Sequence, residues 1–514
     1  MTGAVADRVR LAIAGRVEDR ATTLTLTSVS GLGRVVGVGL ADTAREAARR
    51  FDKRIAFVSG DRQMTYAELD ARSDDVAAGM AARGVSPGDV VALVLPTDLA
   101  YPVCYLAAAK LGAITAGINT RLAETERANL IALVEPALVI DDEAGVEDLR
   151  VAGAAPPPLP DDVEHPVAIV FTSGTTGMPK GAVFANRQID AIRAIDHGEA
   201  WGHGGASLAA TSLAHLGFMT KFAGSLQAGG TTYLTRRWRP SDALRMTAEH
   251  QLTTLSGVPT QLALMLADPL SRELDLSSVR VVVVGGAPAT PALVRELRER
   301  LTCAVSTRYS CTEAGIGCGT HPTDPPEDAE ETVGRPQRGV DLAIRDGDDD
   351  VRSGEVGEVL LRSAAVMSGY WGDVDATSAA LTSDGFVRTG DVGFIDERGR
   401  LHLVGRRKEM YVRGGYNVFP VEVEAVLSGA PGVRAIAVVP RTDDVMGEIG
   451  VACVVPDGET PTLEALRDYG ARDLAAYKLP EELHVLAEIP LTAGDKLDRR
   501  ALQTLVDTAP ESAG

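Results

Sequence analysis

Short, continuously apolar runs alternate with helix-like segments between residues 51 and 300. One run at residues 90–95 precedes a helical stretch at 99–111. Two others, at 167–171 and 279–284, lead directly into glycine-rich segments. Apolar strands that alternate with helices are typical of parallel sheets covered on both faces. The pattern therefore predicts an α/β fold whose ligands bind beyond the carboxyl ends of the strands.

The pattern differs on either side of this region. Residues 1–50 predict a packed N-terminal arm, with an amphipathic helix, an apolar glycine-rich piece at 29–40 and a second helix near 41–50. The proline-rich piece at 154–160 predicts a surface linker between two sheet regions. Between 330 and 400, shorter strand patterns and many glycines predict a β-rich subdomain.

A compact α+β module is predicted after Gly405. Helix patterns at 421–427 and 463–474 flank strand patterns at 435–439 and 450–455. The module is about 105 residues long, which lies within the usual size range of domains.

Length and charge limit the classes of protein to consider. The 514 residues exceed what one hydrophobic core usually supports, so we expect two or more domains. Hydrophobic residues make up 45% and charged residues 24%, the balance of a folded globular protein. The 51 basic and 71 acidic residues give a net charge of −20, which argues against nucleic-acid binding because phosphate backbones need clustered Lys and Arg.

The cysteines and the apolar runs indicate the cellular compartment of the protein. Five irregularly spaced cysteines give no CxxC pair and no disulfide framework, which favours a reducing cytoplasm. Cys311 and Cys318 are interpreted as small core residues rather than metal ligands. The first apolar run, at 11–14, is soon followed by charges, and no run reaches about 18 apolar residues. We therefore expect a cytoplasmic protein with no signal peptide and no membrane span; a homodimer stays compatible with the sequence.

Residues 172–181 read Thr-Ser-Gly-Thr-Thr-Gly-Met-Pro-Lys-Gly and directly follow a predicted strand. Glycines and hydroxyls in such a loop let backbone N–H groups and side-chain oxygens surround phosphate oxygens. Lys180 adds a positive charge that can reach a phosphate. The common P-loop has Gly-x4-Gly-Lys-Ser/Thr, from which this order differs. The loop predicts a phosphate site of another kind, with a flexible linker as the alternative.

This loop resembles the phosphate-binding motif of the adenylate-forming superfamily, which includes acyl-CoA synthetases, luciferases and peptide-synthetase adenylation domains. Further motifs match in the same order, so the resemblance spans roughly residues 50–505 and is strongest to acyl-CoA synthetases. It implies an N-terminal ATP- and acyl-binding domain at 1–404, a hinge at 405–408 and a small mobile α+β domain at 409–514. The loop residues that it assigns to phosphate binding are Thr172, Ser173, Gly174, Thr175, Thr176 and Lys180.

Residues 308–314 read Arg-Tyr-Ser-Cys-Thr-Glu-Ala, which resembles the superfamily's Tyr-Gly-x-Thr-Glu segment. The resemblance implies that Tyr309 stacks on adenine, Thr312 contacts phosphate and Glu313 binds Mg²⁺. One carboxylate suits that role, because Mg²⁺ commonly takes one or two carboxylates together with substrate phosphates. Ser310 replaces the usual Gly and is assigned to the nucleotide site.

Two short segments complete the predicted nucleotide site. Thr-Gly-Asp at 389–391 resembles the ribose-binding element, and the carboxylate of Asp391 can accept from two neighbouring hydroxyls. Gly-Gly-Ala-Pro at 285–288 resembles the turn that lines the adenine pocket. The residues assigned in that turn are Gly286, Ala287 and Pro288. Alone, either segment would be an ordinary turn.

Gly-Arg-Arg-Lys-Glu at 405–409 resembles the superfamily's hinge segment and coincides with the change of hydrophobic pattern. The resemblance implies that Arg406 contacts ribose or phosphate and that Lys408 is the pivot of a domain rotation. It also implies that Gly414 and Gly415 approach the pantetheine arm of CoA. A β-turn with glycine at positive φ is the alternative for this pair.

Pro-Leu-Thr-Ala-Gly-Asp-Lys at 490–496 resembles the motif whose lysine bridges the substrate carboxylate and the α-phosphate. The resemblance assigns this catalytic role to Lys496, for which a solvated surface lysine is the alternative. The superfamily has Gly immediately before the lysine, and this chain has Asp495. A carboxylate there could pair with the ammonium or alter the loop.

The segment at 211–217 carries His215, whereas amino-acid-activating relatives have an Asp nearby that pairs with the α-ammonium group. The resemblance assigns His215 to the acyl site, with a core histidine as the alternative. The missing Asp argues against an α-amino acid and leaves a fatty, aromatic or terpenoid-like acid open.

The resemblance implies a carboxylic acid–CoA ligase that uses ATP, Mg²⁺ and CoA. It would form an acyl-adenylate and then an acyl-CoA thioester. An acyl-AMP ligase that loads a carrier-protein phosphopantetheine is an alternative. A luciferase-like oxygenase and a non-catalytic ATP-binding regulator are two others.

Overall fold

The computed structural model describes residues 39–156, 159, 162–172 and 179–508. The predicted first helix and most of the apolar piece at 29–40 lie outside these ranges, as do Ser173, Gly174, Thr175 and Thr176. Contacts divide the chain into two compact units. Unit 1 comprises Met1–Trp238, Cys311–Ile316 and Arg362–Val387. Unit 2 comprises Arg239–Ser310, Gly317–Leu361 and Arg388–Gly514.

Unit 1 is built on a sheet whose described part has six strands, four of them parallel. In spatial order the strands are Gly369–Tyr370, Gly181–Ala185, Pro166–Phe171, Ile114–Gly117, Val90–Leu93 and Leu138–Ile140. The first two run antiparallel to their neighbours. A second set of paired strands is Ala206–Leu208, Thr231–Leu234, Ile55–Ser59 and Arg62–Thr65.

Helices surround these strands and share one large apolar core with them. The helix Tyr66–Ala82 begins with a capping box, in which Thr65 and Glu68 satisfy each other's backbone N–H groups. Fully buried alanines and valines, such as Ala77 and Val91, dominate the core, as expected for a chain with few aromatics. The described helices of unit 1 are Leu40–Phe51, Tyr66–Ala82, Ala100–Leu111, Glu124–Val134, Glu143–Asp148, Asn186–His197, Leu216–Met219, Phe222–Ala228 and Val374–Ala380.

Unit 2 contains three sheet regions. The first pairs Thr254–Gly257, Val281–Gly285 and Ala304–Tyr309 in parallel, followed by Cys318–Gly319 and Arg335–Pro336. The second has the order Asp349–Asp350, Asp341–Asp346, Gly357–Arg362, Val387–Ile395 and Leu401–Arg406. The third has the order Tyr416–Val418, Tyr411–Arg413, Gly447–Pro456 and Val433–Asp443, with Glu482–Val485 parallel to Gly447–Pro456.

Proline opens most helices of unit 2. Its fixed φ and missing N–H fit the first turn of a helix, where the N–H has no intrahelical partner. The helices with proline at the start are Pro240–Glu249, Pro259–Ala267, Pro291–Leu301, Pro326–Glu331 and Pro420–Leu427. The other described helices are Leu270–Glu273, Leu463–Gly470, Arg499–Thr508 and the 3₁₀ turn Ala476–Lys478.

The predicted α/β class, the β-rich region and the C-terminal α+β module are confirmed. Element ends differ by a few residues. The strand predicted at 90–95 stops at Leu93, because Pro96 follows closely and cannot continue a ladder. The helix predicted at 463–474 ends at Gly470.

The linker prediction at 154–160 was wrong. Leu138–Ile140 and Pro166–Phe171 belong to the same sheet, so the piece does not separate two sheet regions. In the strand order, Val90–Leu93 and Ile114–Gly117 lie between the two strands that this piece connects. Residues 154–156 and 159 of it are described.

The interpretation of Cys311 and Cys318 as core residues holds for one of the two. All five cysteines are free, and Cys318 is buried, but Cys311 is only half-buried. Within the described ranges, no group of three or more His, Cys, Asp or Glu could hold a metal ion. No helix in the same ranges is long and apolar enough to cross a membrane.

Candidate active site

The ends of the glycine-rich loop are joined by backbone pairing in unit 1. The N–H of Thr172 donates to the Lys180 carbonyl at 2.9 Å, and the N–H of Lys180 donates to Thr172 Oγ1 at 3.2 Å. These bonds continue the antiparallel pair Pro166–Phe171 and Gly181–Ala185. Lys180 is therefore held at the carboxyl end of a buried strand, where ligands bind in such sheets.

Three side chains of unit 1 form a cluster beside this loop. The Lys180 Nζ atom lies 5.0 Å from the centre of the Tyr370 ring. The Tyr370 hydroxyl donates to Glu313 Oε1 at 2.5 Å. Burial, followed by the Glu313 carboxylate, raises the pKa of Tyr370 well above its usual range, so the hydroxyl stays protonated and donates.

Tyr309, Asp391 and Arg406 form a second cluster, in unit 2. The Tyr309 hydroxyl donates to Asp391 Oδ2 at 2.7 Å, and Arg406 Nε donates to Asp391 Oδ1 at 3.2 Å. Asp391 and Arg406 are opposite each other in the antiparallel pair of Val387–Ile395 and Leu401–Arg406. Tyr309 ends the strand Ala304–Tyr309 and is buried. Three predicted nucleotide-binding residues are thus in contact.

Lys496 lies against the predicted adenine turn of unit 2. A Cβ atom on Gly286 would be 3.5 Å from Lys496 Cε and 3.9 Å from Nζ. Gly286 has a φ of +81°, a conformation that favours glycine. Burial, with a smaller contribution from Arg406, lowers the pKa of Lys496 to about 8. Lys496 is half-buried, and a lysine with a lowered pKa beside this turn has the character of a functional cation rather than of a solvated surface lysine.

A chain of ion pairs connects the predicted hinge to the C-terminal module within unit 2. Arg406 pairs with Asp391 and, at 3.9 Å, with Glu409. Glu409 also pairs with Arg499 at 3.0 Å, and Arg499 pairs with Glu424 at 2.7 Å. The predicted pivot is exposed in the turn between Leu401–Arg406 and Tyr411–Arg413. The role of Lys408 as this pivot remains a prediction.

The remaining predicted residues lie on separate elements. His215 begins the helix Leu216–Met219, and its Nδ1 accepts from the Gly217 N–H at 3.2 Å. His215 is half-buried rather than a core histidine. Gly414 and Gly415 form the two-residue turn of a hairpin with φ values of +54° and +87°. This is the turn geometry that favours glycine, and the predicted approach to pantetheine remains a prediction.

The other assigned positions divide between the two units. Thr312 lies in a turn of unit 1, where its carbonyl accepts from the Gly315 N–H at 3.3 Å. Ser310, Ala287 and Pro288 belong to unit 2 and are at least partly solvent-accessible.

The family model of AMP-binding enzymes matches residues 44–371, and the model of the AMP-binding enzyme C-terminal domain matches 422–496. The chain belongs to the AMP-binding enzyme family. The predicted recognition is therefore confirmed, together with the enzyme class of AMP-forming acid–thiol ligases.

Curated relatives of this AMP-binding enzyme are similar over most of their length. A 3-[(3aS,4S,7aS)-7a-methyl-1,5-dioxo-octahydro-1H-inden-4-yl]propanoyl:CoA ligase of Mycobacterium tuberculosis is 33% identical, covering 89% of this chain and 97% of the relative. The fatty acid–[acyl-carrier-protein] ligase ScoC of Streptomyces coeruleorubidus is 32% identical, covering 86% and 91%.

A solved structure shares the fold. The o-succinylbenzoate CoA synthetase MenE of Bacillus subtilis, in complex with its acyl-adenylate intermediate, superposes with a TM-score of 0.80 at 27% identity. The match covers 90% of this chain and 97% of that chain. The predicted fold class is confirmed.

The contacts of the predicted site residues include side chains that the motifs did not single out. Tyr370 connects Lys180 to Glu313, and Gln261 contacts Asp495. Two adjacent aromatic residues, Tyr370 and Trp371, could have indicated a functional position, since aromatics make up only 4% of the chain. Nothing in the local sequence around Gln261 indicated its contact with Asp495.

Proposed function

We propose that this AMP-binding enzyme is an ATP-dependent carboxylic acid–CoA ligase. The substrate carboxylate attacks the α-phosphorus of ATP and releases pyrophosphate. The thiol of CoA then attacks the carbonyl of the acyl-adenylate and releases AMP. Membership in the family and the names of both the relatives and the solved structure support the overall reaction. The roles of the individual residues are supported by the contacts described above.

The first proposed step depends on positioning and charge stabilisation. Lys496 neutralises charge between the attacking carboxylate and the α-phosphate. Tyr309 and Asp391 hold adenine and ribose, and the Asp391 carboxylate is oriented by one donor on each oxygen, the Tyr309 hydroxyl on Oδ2 and Arg406 Nε on Oδ1. Lys180 and Thr172 belong to the loop proposed to bind the phosphates, together with Ser173, Gly174, Thr175 and Thr176.

The site fits Mg²⁺ through Glu313. Mg²⁺ needs only one or two protein carboxylates when substrate phosphates supply further oxygens, which agrees with one carboxylate held by the Tyr370 hydroxyl. When bound, the ion would neutralise phosphate charge. The described residues contribute the orientation of the Glu313 carboxylate.

The second proposed step requires the C-terminal module to rotate about residues 405–408. Family models match 44–371 and 422–496 separately, which supports a boundary between them. The short turn that carries Lys408 is the kind of segment that absorbs backbone rotation. We propose domains at 1–404 and 409–514, with Gly414 and Gly415 near the pantetheine arm after rotation.

The acid is proposed to have an apolar body and no α-amino group. Its class remains fatty, aromatic or terpenoid-like, and the relatives described above are named for a fused-ring propanoate and for fatty acids. The relative that loads a carrier protein keeps a phosphopantetheine acceptor as the second candidate. CoA is preferred because the first relative named above and the solved structure are both named for CoA as the acceptor.

The single observation that carries the proposal is the position of the Lys496 side chain against Gly286, where burial lowers the pKa of its ammonium group. The test is a pyrophosphate-release screen over carboxylic acids, with and without CoA, followed by mass spectrometry of the products. The proposal expects acid-dependent pyrophosphate and AMP, and an acyl-CoA mass only when CoA is present. Release of ADP would refute it, as would acid-independent hydrolysis. A product that needs oxygen would favour the oxygenase, and ATP binding without turnover would favour the regulator.

A further inference from the structure

The residue before Lys496 has an unusual backbone for its type. Asp495 has a φ of +58°, in the left-handed region that favours glycine. A tight turn fixes this conformation: the Asp495 N–H donates to the Thr492 carbonyl at 3.0 Å, and the Thr492 N–H donates to the Lys496 carbonyl at 2.8 Å. A non-glycine residue in this region costs free energy and persists only where other contacts compensate.

Gln261 provides such a contact. Its Nε2 donates to Asp495 Oδ2 at 3.0 Å, across 234 residues of chain and within unit 2. The Gln261 side chain belongs to the helix Pro259–Ala267 and is 1% exposed. Its Oε1 accepts from the Val258 N–H at 3.2 Å, which fixes the direction of the amide. The donor is therefore already oriented before the Asp495 carboxylate reaches it.

The two partners lie in the segments matched by different family models. Gln261 lies within 44–371 and Asp495 within 422–496. The same turn carries Lys496, whose side chain lies against Gly286. The hydrogen bond therefore exists only while the lysine turn is docked beside the helix Pro259–Ala267. A rotation about 405–408 that removes Lys496 from Gly286 would also break it.

We propose that Asp495 and Gln261 are positioning residues that hold Lys496 in its adenylation position. This inference rests on the proposed function. The hydrogen bond to a carboxylate stabilises the docked arrangement and contributes nothing once the module has rotated. Its loss lowers the adenylation rate and leaves the thioester-forming step intact, because that step starts from the undocked arrangement.

Four variants separate this role from the alternatives. Asp495→Gly keeps the left-handed backbone but removes the acceptor, whereas Asp495→Asn keeps an acceptor oxygen and removes the charge. Gln261→Glu keeps the acceptor for the Val258 N–H but places a second carboxylate against that of Asp495. Combining Gln261→Glu with Asp495→Asn restores a donor and acceptor in the reverse direction. Asp468→Ala, at an exposed helix position of the same module, is the control.

Two half-reactions are measured for each variant. Acid-dependent ATP–pyrophosphate exchange reports adenylation, and the reaction of synthetic acyl-adenylate with CoA reports thioester formation. We expect exchange kcat/KM to fall about tenfold in Asp495→Gly, the size of effect typical of one hydrogen bond to a charged group. It should fall further in Gln261→Glu and recover when Asp495→Asn is added. Asp495→Asn alone should stay within about threefold of wild type. Thioester formation should be unchanged throughout.

Equal loss of both half-reactions in Asp495→Gly would overturn the inference, and so would an unchanged exchange rate. Loss in Asp495→Asn equal to that in Asp495→Gly would instead indicate that the carboxylate acts through its charge on Lys496. A double-mutant cycle of unfolding free energies measures the Gln261–Asp495 coupling without any activity. Zero coupling would refute the hydrogen bond itself, whereas wild-type protein without acid-dependent exchange would refute the proposed function alone.

Discussion

The side chain of Lys496 packs over the backbone of Gly286, where a Cβ atom would be 3.5 Å from Cε and 3.9 Å from Nζ. The same Cβ would be 3.3 Å from Val258 Cγ1, so one side chain at position 286 meets neighbours on two sides. The turn therefore sets how closely the lysine approaches the predicted nucleotide site.

Replacing Gly286 by alanine should displace Lys496. The φ of +81° strains any side chain, and the new methyl group crowds both the lysine and Val258. We expect adenylation kcat/KM to fall roughly 10²-fold, since displacements of about 1 Å at a reacting group have effects of that size. Pyrophosphate exchange measures the change. Gly354→Ala is the matched control, because Gly354 has a φ of +86° and no heavy atom within 4 Å of its Cβ position. Equal losses in both variants would mean that backbone strain alone is responsible.

Adenylation should lose activity on the alkaline side. Burial and then Arg406 lower the pKa of Lys496 to about 8, below the ordinary lysine value of 10.5, so the ammonium is lost as pH rises through about 8. We expect kcat/KM for ATP, which reports the free enzyme, to fall above that pH. The alkaline limb of the pH profile, where the rate declines, should lie at higher pH for kcat than for kcat/KM, because bound phosphates favour the ammonium. In Lys496→Arg any remaining activity should lack this limb, since guanidinium does not titrate there. An identical limb in that variant would assign it to another group.

ATP affinity should depend on the bond between Tyr309 and Asp391. Asp391→Ala removes the acceptor of both the Tyr309 hydroxyl and Arg406, and leaves a buried phenol without that partner. We expect the KM for ATP to rise on the order of tenfold to a hundredfold, with a smaller rise of about threefold in Tyr309→Phe. Initial-rate kinetics at saturating acid measure both. A larger effect of Tyr309→Phe than of Asp391→Ala would contradict direct ribose binding by the carboxylate.

The Mg²⁺ requirement should depend on Glu313 and, less strongly, on Tyr370. Glu313→Gln removes the charge proposed to bind the ion, so we expect the Mg²⁺ concentration for half-maximal exchange to rise about tenfold or more. Tyr370→Phe removes the 2.5 Å hydrogen bond that orients the carboxylate, and it should raise the half-maximal Mg²⁺ concentration by about threefold. Mg²⁺ titrations at fixed ATP measure both values. Tyr469→Phe in the C-terminal module is the control, and an unchanged titration in Glu313→Gln would remove the residue from the metal site.

The positions of strands and helices could be predicted because they depend on local patterns. Continuous apolar runs located Val90–Leu93, Pro166–Phe171 and Val281–Gly285 to within two residues. The order of strands in the sheets could not be derived in this way. The proline-rich piece therefore suggested a boundary between two sheet regions, although the strands before and after it belong to one sheet.

Single site residues were predictable from motifs, but their partners were not. Tyr370 is 57 positions from Glu313, and Gln261 is 234 positions from Asp495, so neither contact leaves a local signal. The sequence revealed that Asp495 replaces a glycine. It did not reveal that the backbone there is left-handed or that the carboxylate accepts from a fixed amide.

The most direct test of the account compares both half-reactions in Lys496→Ala and Lys408→Pro. Lys496→Ala should lose pyrophosphate exchange by on the order of 10²–10³-fold, the cost of removing one charge-stabilising donor, yet convert synthetic acyl-adenylate to acyl-CoA at the wild-type rate. Lys408→Pro should retain exchange and lose thioester formation, because proline restricts the turn that must rotate. Wild-type exchange in Lys496→Ala would contradict the central claim that this lysine catalyses acyl-adenylate formation.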